Sequence, residues 1–292
     1  MSEPAARGTV SWRELRAEAE GRLAAAGVDS PMAEARHLTE EASGFEGADL
    51  HRHLDEPVTT RGVARFDAMV ARRLTGEPLQ HVLGRWGFRT LDLAVDGRAL
   101  IPRPETEQVV DHALAELDRC SGRVVVDLGT GSGAIALSVA SERDGVTVWA
   151  TDRSPHALAL ARTNLAGLGG RAATRVRLVE GDWYGALPDD LAGAVDVVVS
   201  NPPYVGSVEE LPAVVADWEP AEALVPGPTG LEAVEAVVAA APRWLAPAGA
   251  LVVEIGATQG GAAHTLATEA GFGTVEVRRD LAGRPRVLVA RA

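Results

Sequence analysis

The segment VSNPPYV, residues 199–205, carries a β-branched run into an asparagine, two prolines and a tyrosine. Proline has no N–H for a sheet ladder, so a strand that stops accounts for Pro202 and Pro203. It leaves Asn201 and Tyr204 without a purpose. A planar amide or aryl amine is a poor nucleophile, because its nitrogen lone pair is delocalised. A site that transfers a group to such a nitrogen must hold it in line with the reacting centre. The side-chain oxygen of Asn201 and the carbonyl of Pro202 can each accept one N–H of an NH2 group. The two prolines stiffen the turn that carries these acceptors. Tyr204 offers a flat face on which a planar substrate group can stack.

A second stretch, VVVDLGTGSGAIALSVA, runs from a buried strand through Gly129, Gly131 and Gly133 into a helical pattern. The glycines permit a tight turn and let a ligand approach the backbone. The helix that follows offers N-terminal amides and the positive end of its dipole. Asp152 ends the next strand, about twenty residues on, where a carboxylate can accept from both hydroxyls of a ribose. Gly129-x-Gly131-x-x-Ala134 also satisfies the relaxed dinucleotide fingerprint, so NAD competes. Asp127 argues the other way, because it would repel a pyrophosphate but suits the ammonium of S-adenosylmethionine. Asp182 and Trp183, in EGDWYGAL, can supply an acceptor for an adenine amino group and a surface for its ring. Trp183 reads equally well as a core residue. Hydride transfer has no use for Asn-Pro-Pro-Tyr. Loop and tetrapeptide together point to methyl transfer onto an amino or amide nitrogen.

These residues need elements to position them. The first eighty residues read as helical. Ser11 and Glu14 form a capping box ahead of Leu15, Ala19 and Leu23 on one face. Pro31 opens a second helix, and Val63, Phe66, Val70 and Leu74 stripe a third that ends at Gly76. No motif for chemistry lies here, so the segment is a recognition or packing domain. Alternation with Gly and Pro from Glu77-Pro78 onwards predicts a hairpin connector. Strands are then expected at 124–127, 147–152, 177–181, 195–201 and 249–255, with helical patterns at 133–143, 155–168 and 231–245 between them. This is the signature of a doubly wound parallel sheet. The runs at 274–279 and 286–290 close it as an antiparallel hairpin.

Composition excludes several classes. The 292 residues carry 41 acidic against 28 basic side chains, all arginine, for a net charge of −13. That opposes stable, sequence-independent binding of nucleic acid. No apolar run approaches the length of a membrane span, and the start MSEPAARGTV lacks a secretory layout. A lone cysteine, Cys120, fits a reducing cytoplasm and reads as a core thiol beside Leu117. His51 and His53 have no companions at zinc spacing and read as solvated loop residues.

The chain resembles the HemK-type protein-(glutamine-N5) methyltransferases, over nearly its whole length. The resemblance rests on GEPLQHVLG, LIPRPETE, DLGTGSGAIAL, GDW, SNPPY, EPAEAL followed by GLEAV, and VVEIG. It implies a class I S-adenosylmethionine-dependent methyltransferase: a Rossmann-like α/β sheet of seven strands with its last hairpin antiparallel. The expected boundaries are a five-helix-like domain at 1–78 that grips the protein substrate, a β-hairpin connector at 79–102 and a catalytic domain at 103–292. By the same resemblance the substrate is the glutamine of the Gly-Gly-Gln motif of peptide chain release factors. Gly129, Thr130, Gly131, Ser132 and Gly133 would hold the methyl donor, which leaves as S-adenosyl-L-homocysteine. Asp127, Asp152, Asp182, Trp183 and Asn201 complete that site. Asn201, Pro202, Pro203 and Tyr204 would hold the substrate amide, with Arg103 and Glu105 beside the pocket. Those last two could equally form a structural ion pair. A monomeric cytoplasmic protein without a metal is expected. The alternatives are a ribosomal-protein glutamine as substrate, a flipped DNA adenine methylated at N6, and a donor-binding module without turnover.

Overall fold

The computed structural model describes residues 9–292, so the start of the segment read for a secretion signal lies outside the described residues. The chain forms two compact units that meet in sequence at Gly84 and Arg85. Among the described residues, the first holds five helices: α1 (Trp12–Ala25), α2 (Pro31–Ser43), α3 (Gly47–His53), α4 (Thr60–Leu74) and α5 (Leu79–Leu83). The Ser11–Glu14 capping box is formed, and Leu15, Ala19 and Leu23 are buried with Leu38, Phe66 and Val70. Arg73 and Glu34 close this bundle with an ion pair at 2.6 Å.

Two expectations for this region change. Leu79–Leu83 is helical rather than part of a hairpin and ends on Gly84 in the left-handed conformation, so the unit runs six residues past the expected limit of 78. His51 and His53 lie in α3 rather than in a loop; the His53 ring stacks on Phe45 at 4.0 Å between centroids.

The second unit opens with the antiparallel hairpin β1 (Arg85–Phe88) and β2 (Leu91–Ala94), so the connector is shorter than the expected 79–102. Next come α6 (Pro104–Cys120), β3 (Val124–Leu128), α7 (Ala134–Glu142), β4 (Thr147–Asp152), α8 (Pro155–Leu168), the short α9 (Gly170–Ala173) and β5 (Val176–Glu180). After β6 (Val195–Ser200) follow the single-turn α10 (Ala213–Ala216), α11 (Glu232–Trp244), β7 (Leu245–Glu254), α12 (Gly260–Glu269), β8 (Thr274–Arg279) and β9 (Pro285–Arg291). The seven-stranded sheet has the order β5-β4-β3-β6-β7-β9-β8, with β9 antiparallel to both neighbours. Its central strands are β-branched and apolar on both faces because helices cover both, whereas the edge strands β5 and β8 carry charged, exposed residues. Val125, Val197, Val199 and Val252 pack towards α6 and α7; Val126, Val198, Leu251 and Val253 pack towards α11 and α12. Each Val or Leu so buried contributes about 1.5–3 kcal/mol. Cys120 closes α6 half-buried rather than in the core, with its Sγ 3.8 Å from the Leu117 carbonyl. No helix among the described residues is long and apolar enough to cross a membrane.

One buried side chain ties the hairpin to the sheet. Asn164 of α8 accepts from the Ala94 amide at 2.7 Å and donates to the carbonyls of Ala94 (3.1 Å) and Ser132 (2.9 Å). Asn164→Leu keeps the branching and the number of side-chain heavy atoms and strands all three backbone groups. Each buried group left unpaired costs ~1–3 kcal/mol. Urea unfolding of the variant is expected to show a loss of at least about 2 kcal/mol. A midpoint equal to the parent's would show that the bracket does not hold.

Candidate active site

Strands β3 and β6 are neighbours in the sheet, although the chain leaves β3 towards β4. This reversal opens a crevice beyond the carboxyl ends of the strands. The register pairs Leu128 with Ser200, and the Ser200 hydroxyl donates to the Leu128 carbonyl at 2.7 Å. Gly129 and Asn201, one residue on, therefore leave the sheet side by side. A cavity of about 240 Å³ lies there.

Gly129, Gly131 and Gly133 all take positive φ, at 71°, 58° and 87°, a region that side chains rarely adopt. The amides of Gly129 and Thr130 both donate to the Thr151 carbonyl at 2.9 Å, which bends the loop over β4. Gly129, Thr130, Gly131 and Ser132 line the cavity, with Asp152 on the same wall. Asp152 accepts from the amides of Gly131 (2.8 Å) and Ser154 (2.9 Å), one on each oxygen, which leaves lone pairs on both. Burial pushes its carboxyl up. Asp182 and Trp183 line the cavity too, and the Trp183 ring lies so near Gly129 that a Cβ there would stand 3.4 Å away. Trp183 takes φ 44°, a strained value for a large residue, as is common where a side chain serves a site.

Asp127 sits beneath the loop and is not part of the cavity wall. Its carboxylate is completely buried: one oxygen accepts from the Thr130 hydroxyl (2.6 Å) and the Ala136 amide (3.1 Å), and the other has no partner. Burial pushes its pKa up to about 7. A buried acceptor of this kind fits a cation, so the residues present suit a ligand that carries an ammonium group. Gly133 is also off the wall and packs on Leu137.

Of the tetrapeptide, Asn201 and Pro203 face the cavity, whereas Pro202 is buried. The Asn201 Nδ2 donates to Thr106 Oγ1 at 3.1 Å, while its Oδ1 is buried without a partner. Thr106 donates to Glu254 at 2.7 Å. Tyr204 is not on the cavity wall, contrary to its expected stacking role. Its hydroxyl donates to the other Glu254 oxygen (3.4 Å), and Arg286 donates to that hydroxyl and lies 5.9 Å from its ring centre. Burial raises the Tyr204 pKa to about 12, so the phenol keeps its proton. Burial also pushes the Glu254 carboxyl up, against the pull of the Thr106 hydroxyl and Arg286. The turn itself is clamped. Gln259 donates to the carbonyls of Tyr204 (2.9 Å) and Gly230 (3.1 Å), and a Cβ on Gly230 would come within 2.6 Å of the Tyr204 carbonyl.

Arg103 and Glu105 do not pair with each other. Arg103, on the cavity wall, binds Glu219, whose other oxygen accepts from the Ile101 amide at 3.0 Å. Glu105 lies off the wall, 3.6 Å from Arg284. Thr106, Glu219, Glu254 and Gln259 thus shape the site without having been assigned roles from the sequence. Glu254 ends an apolar strand and Glu219 precedes a proline, whereas Thr106 and Gln259 sit among polar or small residues and carry no such signal.

A family model described as the PrmC N-terminal domain matches residues 14–84, and one described as the methyltransferase small domain matches residues 108–218. The release factor glutamine methyltransferase of Cereibacter sphaeroides is 42% identical over 276 residues, 92% of this chain and 94% of the relative. That of Nitratidesulfovibrio vulgaris is 40% identical over 292 residues, 99% of this chain and 97% of the relative. Among solved structures, a methyltransferase from Pyrococcus furiosus is similar in fold to this chain, with a TM-score of 0.50. It is 19% identical and covers 70% of this chain and 89% of its own. With identity of this order along almost the entire length, the chain belongs to the release factor glutamine methyltransferase family.

Proposed function

We propose that the protein transfers the methyl group of S-adenosylmethionine to the side-chain amide nitrogen, N5, of the glutamine in the Gly-Gly-Gln motif of release factors. The observation that carries this reading is Asn201, a residue of the cavity wall whose NH2 is engaged by Thr106 while its buried oxygen is left without a partner. An acceptor without a partner in so dry a place is destabilising unless a substrate N–H fills it. Gly129–Ser132 and Asp152 would hold the ribose and methionine parts of the donor, Asp182 and Trp183 its adenine, and Asp127 its ammonium end. Bound there, S-adenosylmethionine supplies an activated methyl group on a sulfonium and departs as S-adenosylhomocysteine. Asn201 and the Pro202 carbonyl orient the amide nitrogen, and the prolines keep both acceptors in place. The net charge of −13 and the amide-sized acceptor favour a protein glutamine over a flipped base.

Mass spectrometry of a release factor incubated with the protein and S-adenosylmethionine should show one added methyl group on that glutamine. Under single-turnover conditions, Asn201→Ala is expected to slow the transfer at least ~100-fold, about 2.7 kcal/mol of barrier, with methyl donor affinity nearly kept. Asn201→Asp keeps an acceptor but sets a carboxylate beside the sulfonium, stabilising the ground state, and is expected to be slow as well. Near-parental turnover by Asn201→Ala would reduce the tetrapeptide to a strand terminator.

Asp127 gives a pH dependence. Its carboxyl is neutral below about 7 and charged above it. A bound ammonium gains its partner only when the carboxylate forms, so binding releases a proton and affinity rises with pH. Calorimetry should show S-adenosylmethionine binding tighter at pH 7 than at pH 5.5, and Asp127→Asn should lose most of that rise. An equal rise in both proteins would place the ammonium elsewhere.

We further propose that the helical unit recognises the release factor while the second unit carries out the transfer. All cavity residues lie in the second unit. A fragment beginning at Arg85 should bind S-adenosylmethionine as the full chain does and methylate an intact release factor at least about 10-fold more slowly. Equal rates would contradict the division.

A further inference from the structure

The polar chain behind Asn201 has a direction. An arginine guanidinium only donates. Arg286 donates to the Tyr204 oxygen, so that hydroxyl sends its proton on to Glu254. Glu254 accepts on its other oxygen from Thr106, at 2.7 Å. A hydroxyl has one proton, and Thr106 has spent it, so towards Asn201 it can only accept. The Asn201 group facing Thr106 must then be the NH2, which leaves Oδ1, buried and without a partner, as the acceptor a substrate N–H can meet. An asparagine without this constraint could rotate its amide by half a turn and present NH2 instead. The two orientations suit different substrates: an oxygen accepts the N–H of a glutamine, whereas an NH2 would donate to the carboxylate of a glutamate.

We infer that Thr106, held by Glu254, is a positioning residue that makes the site select glutamine over glutamate by locking the Asn201 oxygen towards the substrate. The inference deepens the function proposed above and rests on it. The strand register supports it. Ser200 pairs with Val253, so Asn201 and Glu254 stand level at the ends of adjacent strands. Thr106, at the start of α6, bridges them. Thr106 is 4% exposed and Glu254 1%, so water cannot compete for these bonds. Asn201 and Thr106 both lie on the cavity wall, whereas Tyr204, Glu254 and Arg286 stand behind it. Selectivity against an acidic product of glutamine deamidation would therefore depend on a threonine that acts through the direction of the asparagine amide.

The test is binding, with S-adenosylhomocysteine present, of two peptides from the release factor loop that differ only in Gln or Glu at the acceptor position. The full-length protein is expected to prefer the glutamine peptide. In Thr106→Val, which keeps the shape and removes the acceptor, the preference should fall at least about 10-fold. Thr106→Ser restores the hydroxyl and should restore the ratio. A merely structural loss would weaken both peptides alike and leave the ratio unchanged, so an unchanged ratio in Thr106→Val overturns the inference. So does a Thr106→Ser ratio no better than that of Thr106→Val. Failure of the parent protein to prefer glutamine would instead overturn the proposed function together with this refinement of it.

Discussion

The pairing of Leu128 with Ser200 governs where everything else in the site can be. A parallel ladder fixes the two strand ends to the same level, and the hydroxyl of Ser200 adds a bond to the Leu128 carbonyl. What leaves β3 is a loop of glycines that brings backbone amides close together. What leaves β6 is a turn of prolines that cannot move. A slip of one residue would turn every valine of β6 to the wrong face of the sheet, so the register is held by the whole core and not by the site. The reacting partners are thereby brought together by forces that have nothing to do with the reaction.

Charge is handled in two ways around the cavity. Asp127 and Glu254 are both fully buried, and desolvation raises the pKa of each. Glu254 is balanced inside the protein, between two hydroxyls and within the field of Arg286. Asp127 is balanced on one oxygen only. The first arrangement builds a rigid scaffold and the second leaves an open demand for a cation. The same carboxylate group in the same burial thus acts as structure in one place and as binding capacity in the other.

The sequence was legible where chemistry is local. Helix α8 and strand β4 fall where proline, capping serine and β-branched runs place them, because each signal lies within a few residues of the element it sets. Glycine loop and Asn-Pro-Pro-Tyr were readable for the same reason. Helices α3 and α5, of seven and five residues, are too short for a period to show. The partners of Asn201 were hidden by distance along the chain: Thr106 lies 95 residues from Asn201 and 148 from Glu254. Arg103 looked like a match for nearby Glu105, but α6 starts between them and turns their side chains apart, and the carboxylate that meets Arg103 is 116 residues away. No spacing rule reaches that far.

The bracket at Asn164 makes the hairpin and the glycine loop one dynamic body. The Ala94 amide gives its proton to the Asn164 oxygen, and the NH2 of that same side chain holds the Ser132 carbonyl. Solvent can reach the Ala94 proton only when the side chain lets go, and the loop then loses its tether in the same event. Hydrogen exchange at this single amide therefore times the opening of the loop, from a position well outside the cavity wall.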